Sequence, residues 1–127
     1  MGPPGLNTRG MFGSDMTETG LSENRGNGET LTVIGTMRIK PEHEEEFVEL
    51  ATSVVQAVHE QEPGTILYVL HKHPSEAHVY VWVERYRDAE AQQAHLAAPY
   101  IADAFAKLPD WVSAPPEFEE LSQLAPA

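Results

Sequence analysis

The sequence predicts an α+β domain of the ferredoxin-like, split βαβ type: a four-stranded antiparallel sheet with helices on one face. Three observations lead there. Strand-like and helix-like periodicities follow one another in the order strand, helix, strand, strand, helices, strand. The third strand segment alternates cleanly with a period of two, and the first helical segment repeats its apolar residues at steps of three and four. At 127 residues the chain is long enough for one domain with a modest core and too short for two.

Residues 1–28 are rich in Gly, Asn, Ser, Thr and Pro, with Leu6, Phe12 and Leu21 as the sizeable apolar anchors beside the methionines. So little apolar surface does not repay the entropy of ordering. A disordered tail over 1–28 and a folded domain over 29–127 are therefore expected.

From Glu29 the character changes. Leu31 to Ile39 is a β-branched run ended by Pro41, the first strand. Phe47, Leu50, Ala51, Val54, Val55 and Val58 form one face of a helix from Glu42 to about Glu60, with Glu42, Glu44, Glu45, Glu46 and Glu49 on its first turns and solvated face. Pro63 and Gly64 break the chain before a second strand, Thr65 to Lys72. Pro74 and Ser75 mark a turn, and His78 to Tyr86 is the third strand. Asp88 caps a short helix to about Leu96, Pro99 starts another carrying Ile101, Ala104, Phe105 and Leu108, and Phe118 to Leu124 is the last strand.

On the third strand Val79, Val81 and Val83 share one face, and His78, Tyr80, Trp82, Glu84 and Tyr86 share the other. If the helices cover the valine face, the aromatic face is left bare, and a patch that apolar is unusual on a lone subunit. A homodimer that buries Tyr80, Trp82 and Tyr86 between two sheets is expected.

Charge excludes some partners. The chain has 20 Asp and Glu against 8 Lys and Arg, with no basic stripe, so neither nucleic acid nor an anionic membrane surface is an expected partner. No stretch approaches eighteen apolar residues. The absence of cysteine excludes disulfides, thiolate metal sites and cysteine nucleophiles, and fits a cytoplasmic location. His71, His73 and His78 would suit zinc or copper if a hairpin gathered them, but Lys72, Pro74 and Ser75 mark a solvated turn and no native metal is expected. His43 and His59 read as surface residues among polar neighbours.

The segment EPGTILYVLHKHPSEAHVYVWVERYRDAEAQQAHLAAPY, Glu62 to Tyr100, resembles the antibiotic biosynthesis monooxygenase family of dimeric α+β barrels, including its quinol monooxygenase-like members. The resemblance is carried by Glu62-Pro63-Gly64, Tyr68, Glu84, Tyr86, Asp88, Ala91, His95 and Pro99, and it extends over about Leu31 to Leu124. The family hosts oxygenases, haem degraders and isomerase-like relatives. Its polyketide-anthrone oxygenases carry an asparagine and a tryptophan where Trp82 and Tyr86 stand here, so one polar group is replaced and one aromatic kept. The haem-degrading branch uses an asparagine, a tryptophan and a histidine where Gly35, His95 and Phe105 stand, and haem degradation is not expected.

The resemblance implies oxygenation of a small phenolic, quinol or polycyclic aromatic substrate without cofactor, the ionised substrate itself donating electrons to dioxygen. Such chemistry needs a dry pocket and a proton acceptor. Tyr68, Tyr80, Trp82 and Tyr86 are candidate substrate-binding walls, and dimer-core packing is the alternative for the last three. His95 is the candidate catalytic base, its ordinary pKa lying close to working pH, with Glu84 orienting it or accepting the proton itself. The alternative for His95 is a structural pin of the short helix through a hydrogen bond to Glu84. Arg38 suits a substrate carboxylate, or a surface ion pair with one of the abundant acids. An isomerase or lyase using the same base, and a non-catalytic small-molecule-binding dimer, are the other functions to be weighed.

Overall fold

The structure, a computed structural model, describes residues 29–125. The tail expected over 1–28 lies outside them. The elements run β1 (Leu31–Arg38), a 3-10 turn (Pro41–His43), α1 (Glu44–Gln61), β2 (Thr65–Lys72), β3 (Val79–Tyr86), α2 (Ala89–Leu96), α3 (Pro99–Trp111) and β4 (Glu117–Ser122). The four strands form one antiparallel sheet in the order β2-β3-β1-β4, so β1 and β3 are central. Ile39, read as the end of β1, instead makes an isolated bridge to Val112, which ties the end of α3 to the sheet.

Local chemistry explains the boundaries. Pro41 cannot donate to a ladder, so β1 ends before it, and its fixed φ suits the first position of a helical turn. Phe47, Ala51, Val54 and Val58 are the buried face of α1, and Glu44, Glu45 and Glu46 stand at its positive end. The Asp88 side chain accepts from the Ala91 N–H at 2.9 Å and so starts α2. His78 holds φ at 65°, left-handed and uncommon for a residue with a Cβ. Its carbonyl accepts from Ile39 N and its Nδ1 donates to Glu44 Oε2 at 2.5 Å, which fixes that turn against α1.

One expectation is inverted. Tyr80, Trp82, Glu84 and Tyr86 lie under the helices, beside Leu31, Val33 and Met37 of β1 and Tyr68 and Leu70 of β2. Tyr80 and Trp82 share a core with Met37, Ile39, Phe47, Ala51 and Leu108. The aromatic face is thus covered within the single chain. The bare face carries Ile34, Val69, Val81 and Val83, with Leu67 and Leu121 at its margins. Period-two alternation separates two faces but does not say which one a helix covers, and on a central strand both are apolar.

Candidate active site

The site lies where the turn after α1, the helix-covered face of β3 and the end of α2 converge. Glu62 follows the last turn of α1, and Pro63 and Gly64 carry the chain into β2. Gly64 is needed for close approach: a Cβ there would stand 2.7 Å from the Ala91 Cβ, so only glycine lets α2 sit down on this turn. That contact sets His95, on the last turn of α2, against the Glu62 carboxylate.

His95 is 3% exposed and donates from Nδ1 to Glu62 at 3.0 and 3.1 Å. Thr65 donates to Glu62 Oε1 at 2.7 Å, and the Tyr100 hydroxyl donates to Oε2. Burial pushes the Glu62 carboxyl up, but hydrogen bonds from His95, Thr65 and Tyr100 outweigh it and hold the group below its ordinary value. It is a carboxylate kept charged by three donors, and it orients the imidazole. Nε2 of His95 has no hydrogen-bond partner among the described residues.

Glu84 is buried where Glu62 is only partly so, with Tyr86 donating to its Oε1 at 2.6 Å. Burial raises its pKa above the ordinary value, and the attraction of His95 and the Tyr86 hydrogen bond offset this only in part. Burial, followed by the charge of Glu84, holds the phenols of Tyr68 and Tyr86 well above the usual phenol range. Burial and the bond to Glu62 raise Tyr100 as well. None of these phenols is a ready base near neutral pH.

The His95 ring is held between two of them, 4.9 Å from Tyr68 and 5.4 Å from Tyr86 by ring centroids. Tyr68 also packs on Trp82 at 4.9 Å. Trp82 is 5% exposed, and its Nε1 has no acceptor among the described residues. An unpaired buried donor costs about 1–3 kcal/mol.

Between α1 and β2 runs an open groove of about 510 Å³, lined on the helix by Val48, Ala51, Thr52 and Val55 and on the sheet by Tyr68 to Lys72 and Tyr80. A smaller hollow of about 50 Å³ lies beyond Tyr68, against Val58, His59, Thr65 and Ile66. Tyr68 lines both. Val55 lines both as well, but of the two it is Tyr68 whose ring also packs on His95, so Tyr68 touches both the groove and the imidazole.

The sequence-predicted residues fall into two groups. Tyr68 and Tyr80 line the groove, whereas Trp82, Glu84, Tyr86 and His95 lie behind it, filling their own space. The expected hydrogen bond between His95 and Glu84 is not made: Glu62 takes the imidazole and Glu84 takes Tyr86. Glu62 and Tyr100 were not recognised as site residues. A signal existed for Glu62, an acid at the negative end of a helix dipole, where it is disfavoured unless something else holds it. Arg38 lies on the opposite face of the sheet, 3.7 Å from Glu117, the surface ion pair. The three histidines are not gathered: His71 Nδ1 faces Val81 O, His73 Nδ1 accepts from Ser75 N and Glu76 N, and His78 binds Glu44. Among the described residues no group of three or more His, Cys, Asp or Glu is placed to hold a metal ion, and no helix is long and apolar enough to cross a membrane.

Known proteins are similar to this chain in sequence and in fold. Over 95 residues the chain is 27% identical to the uncharacterized protein sll1783 of Synechocystis, a match covering 75% of this chain and 64% of that one, so this chain spans less than two thirds of its relative. A Caulobacter crescentus protein provisionally assigned as an antibiotic biosynthesis monooxygenase superposes with a TM-score of 0.76 at 25% identity, over 81% of this chain and 97% of that one. The Mycobacterium tuberculosis protein Rv0793 shares the fold, with a TM-score of 0.72 at 21% identity over 77% of this chain and 98% of its own. The sequence profile of the antibiotic biosynthesis monooxygenases matches residues 30–107, from the first strand through most of α3. The chain belongs to the antibiotic biosynthesis monooxygenase family.

Proposed function

We propose that this protein is a cofactor-independent monooxygenase that oxidises a small phenolic, quinol or polycyclic aromatic substrate with dioxygen, using His95 as the base. One observation carries the proposal: a buried imidazole with Nδ1 held by a charged carboxylate and Nε2 uncommitted, packed against Tyr68, a residue of the groove wall. A carboxylate behind Nδ1 fixes the tautomer that leaves Nε2 free to take a proton, and stabilises the imidazolium that results.

In the proposed reaction the substrate loses a proton to His95, the O–H of a phenol or quinol or the acidic C–H of an anthrone, and the resulting anion gives its electrons to dioxygen at a ring carbon that still bears hydrogen. A carbon–oxygen bond forms. Cleavage of the peroxide then leaves a carbonyl on the substrate and releases the second oxygen as water. Glu84, which keeps its proton to higher pH than an ordinary carboxyl, is suited to return a proton to the departing oxygen. The Trp82 indole N–H, without an acceptor, is a donor for the substrate or peroxide oxygen. Tyr68 has to turn aside for a substrate to reach His95.

The test is oxygen consumption by metal-stripped protein with hydroquinones, catechols and anthrones, comparing wild type with His95→Ala and Glu62→Gln. Uptake above the spontaneous rate that falls in both variants supports the reading. Uptake that persists in His95→Ala removes His95 as base, and substrate conversion without uptake favours an isomerase or lyase. One observation favours a second reading, a non-catalytic small-molecule-binding dimer: His95 does not line the groove. Ligand binding without turnover across the panel would select it.

We further propose a cytoplasmic homodimer that buries the bare sheet face of Ile34, Val69, Val81 and Val83 against a second copy. An apolar strip across three neighbouring strands supports this, since such patches on monomers are rare.

A further inference from the structure

The lining of the α1–β2 groove departs from the charge balance of the chain. Acids outnumber Lys and Arg by 20 to 8 in the sequence, yet among the described residues no carboxylate side chain lines the groove, and Lys72 is the one Lys or Arg that does. Arg38 and Arg87 lie beside Glu117 and Asp88. Lys72 instead holds its ammonium 5.0 Å from the centroid of the Tyr80 ring, a groove wall. A cation is thus stationed on an aromatic face, while Val48, Ala51, Val55, Val69 and Leu70 are apolar and Thr52 and His71 are the other polar residues of the lining.

We infer that the groove takes a flat aromatic ligand bearing one anionic oxygen group, the ring system lying against Tyr68 and Tyr80 and the charge pairing with Lys72. This deepens the reading of the groove as the substrate site and rests on it. A volume of about 510 Å³ suits two or three fused rings. The protein's overall negative charge does not forbid an anion there, because beyond about 8 Å that field is screened at physiological salt, whereas a contact pair is not. Lys72 is then a specificity residue: it selects anionic over neutral aromatics. Because it is exposed and pairs with no acid among the described residues, it can be replaced without disturbing the core.

The experiment is isothermal titration of the full chain with 2-naphthoate and with its neutral counterpart 2-naphthamide, for wild type, Lys72→Met, Lys72→Arg and, as a control of equal charge change, Lys107→Met. Wild type should bind the naphthoate about twofold to fivefold more tightly than the amide, as for an exposed ion pair. Added salt should erode that preference. Lys72→Met should abolish it, while Lys72→Arg and Lys107→Met keep it. Equal binding of the two probes by wild type, a preference that survives Lys72→Met, or no binding of either probe would overturn the inference. The monooxygenase reading fails separately. Oxygen uptake with uncharged quinols and no charge preference keeps the enzyme and removes Lys72's role; a charge preference without uptake does the reverse.

Discussion

Glu62→Gln tests the centre of the site most directly. Glutamine keeps the shape but offers one acceptor oxygen where the carboxylate offers two, and it brings an NH2 group into a ring of donors. His95 Nδ1, Thr65 Oγ1 and the Tyr100 hydroxyl all donate to Glu62. One acceptor cannot serve all three in the same geometry, so at least one donor is orphaned at a cost of about 1–3 kcal/mol, and the remaining bonds lose their charge assistance. The expected loss is about 2–4 kcal/mol at pH 7, a large share of a small domain's stability. Urea unfolding at one fixed protein concentration measures it, with the slope expected to be unchanged. The pH dependence is a second, independent readout. The folded-state pKa of Glu62 lies below its ordinary 4.5, so its ionisation contributes stability above that value, and the contribution is lost as pH falls through the folded pKa. The gap between wild type and Glu62→Gln should therefore narrow on acidification below that range. A variant within about 0.5 kcal/mol of wild type at pH 7, or a gap that stays constant into acid, would refute the account.

Glu84 carries the opposite sign. Its folded pKa is raised, so the folded protein binds this proton more tightly and stability from this group declines as pH rises from the ordinary value through the folded one. Glu84→Gln, which still offers an oxygen to Tyr86, should be at least as stable as wild type at pH 7.5 in urea melts, and a loss above about 1 kcal/mol would contradict this. Gly64→Ala should cost about 1–3 kcal/mol by thermal melting and dislodge α2, because its new Cβ meets the Ala91 Cβ on a helix backbone. Gly35→Ala should cost less, since the Phe118 ring it would meet, also at 2.7 Å, is 45% exposed and free to swing. Val83→Lys, at the centre of the bare sheet face, should turn a sedimenting dimer into a monomer at micromolar concentration while the far-UV circular dichroism stays unchanged; a wild-type monomer would remove the dimer.

Secondary structure was legible because its causes are local. Thr65–Lys72 matches the strand read from its β-branched run between Pro63-Gly64 and the Pro74 turn. Asp88 and Pro99 mark the starts of α2 and α3 through capping chemistry that acts within a few residues. The weakest segment, the last strand, exists but is shorter than the apolar pattern suggested, Glu117–Ser122, because β1 offers pairing only from Leu31 to Thr36.

The site was legible only in part. His95, Glu84 and the four aromatics were identified as residues, and all lie on one side of the sheet. Their partners were not. Glu62 and His95 are 33 positions apart and Glu62 and Tyr100 are 38 apart, and nothing local brings them together. That juxtaposition depends on the turn at Gly64, on the packing of α2 over it, and on the register that seats Tyr68 beside Glu84.

By itself, then, the sequence determined the order and kind of the elements, the family, and the acidic, cysteine-free character of the chain, since these follow from composition and short-range pattern. Tertiary structure alone decided which sheet face the helices cover, which acid holds the imidazole, and that Tyr68 touches both the groove and that imidazole. Each of these is a choice between alternatives of nearly equal local energy, and only the packing of distant segments against one another separates them.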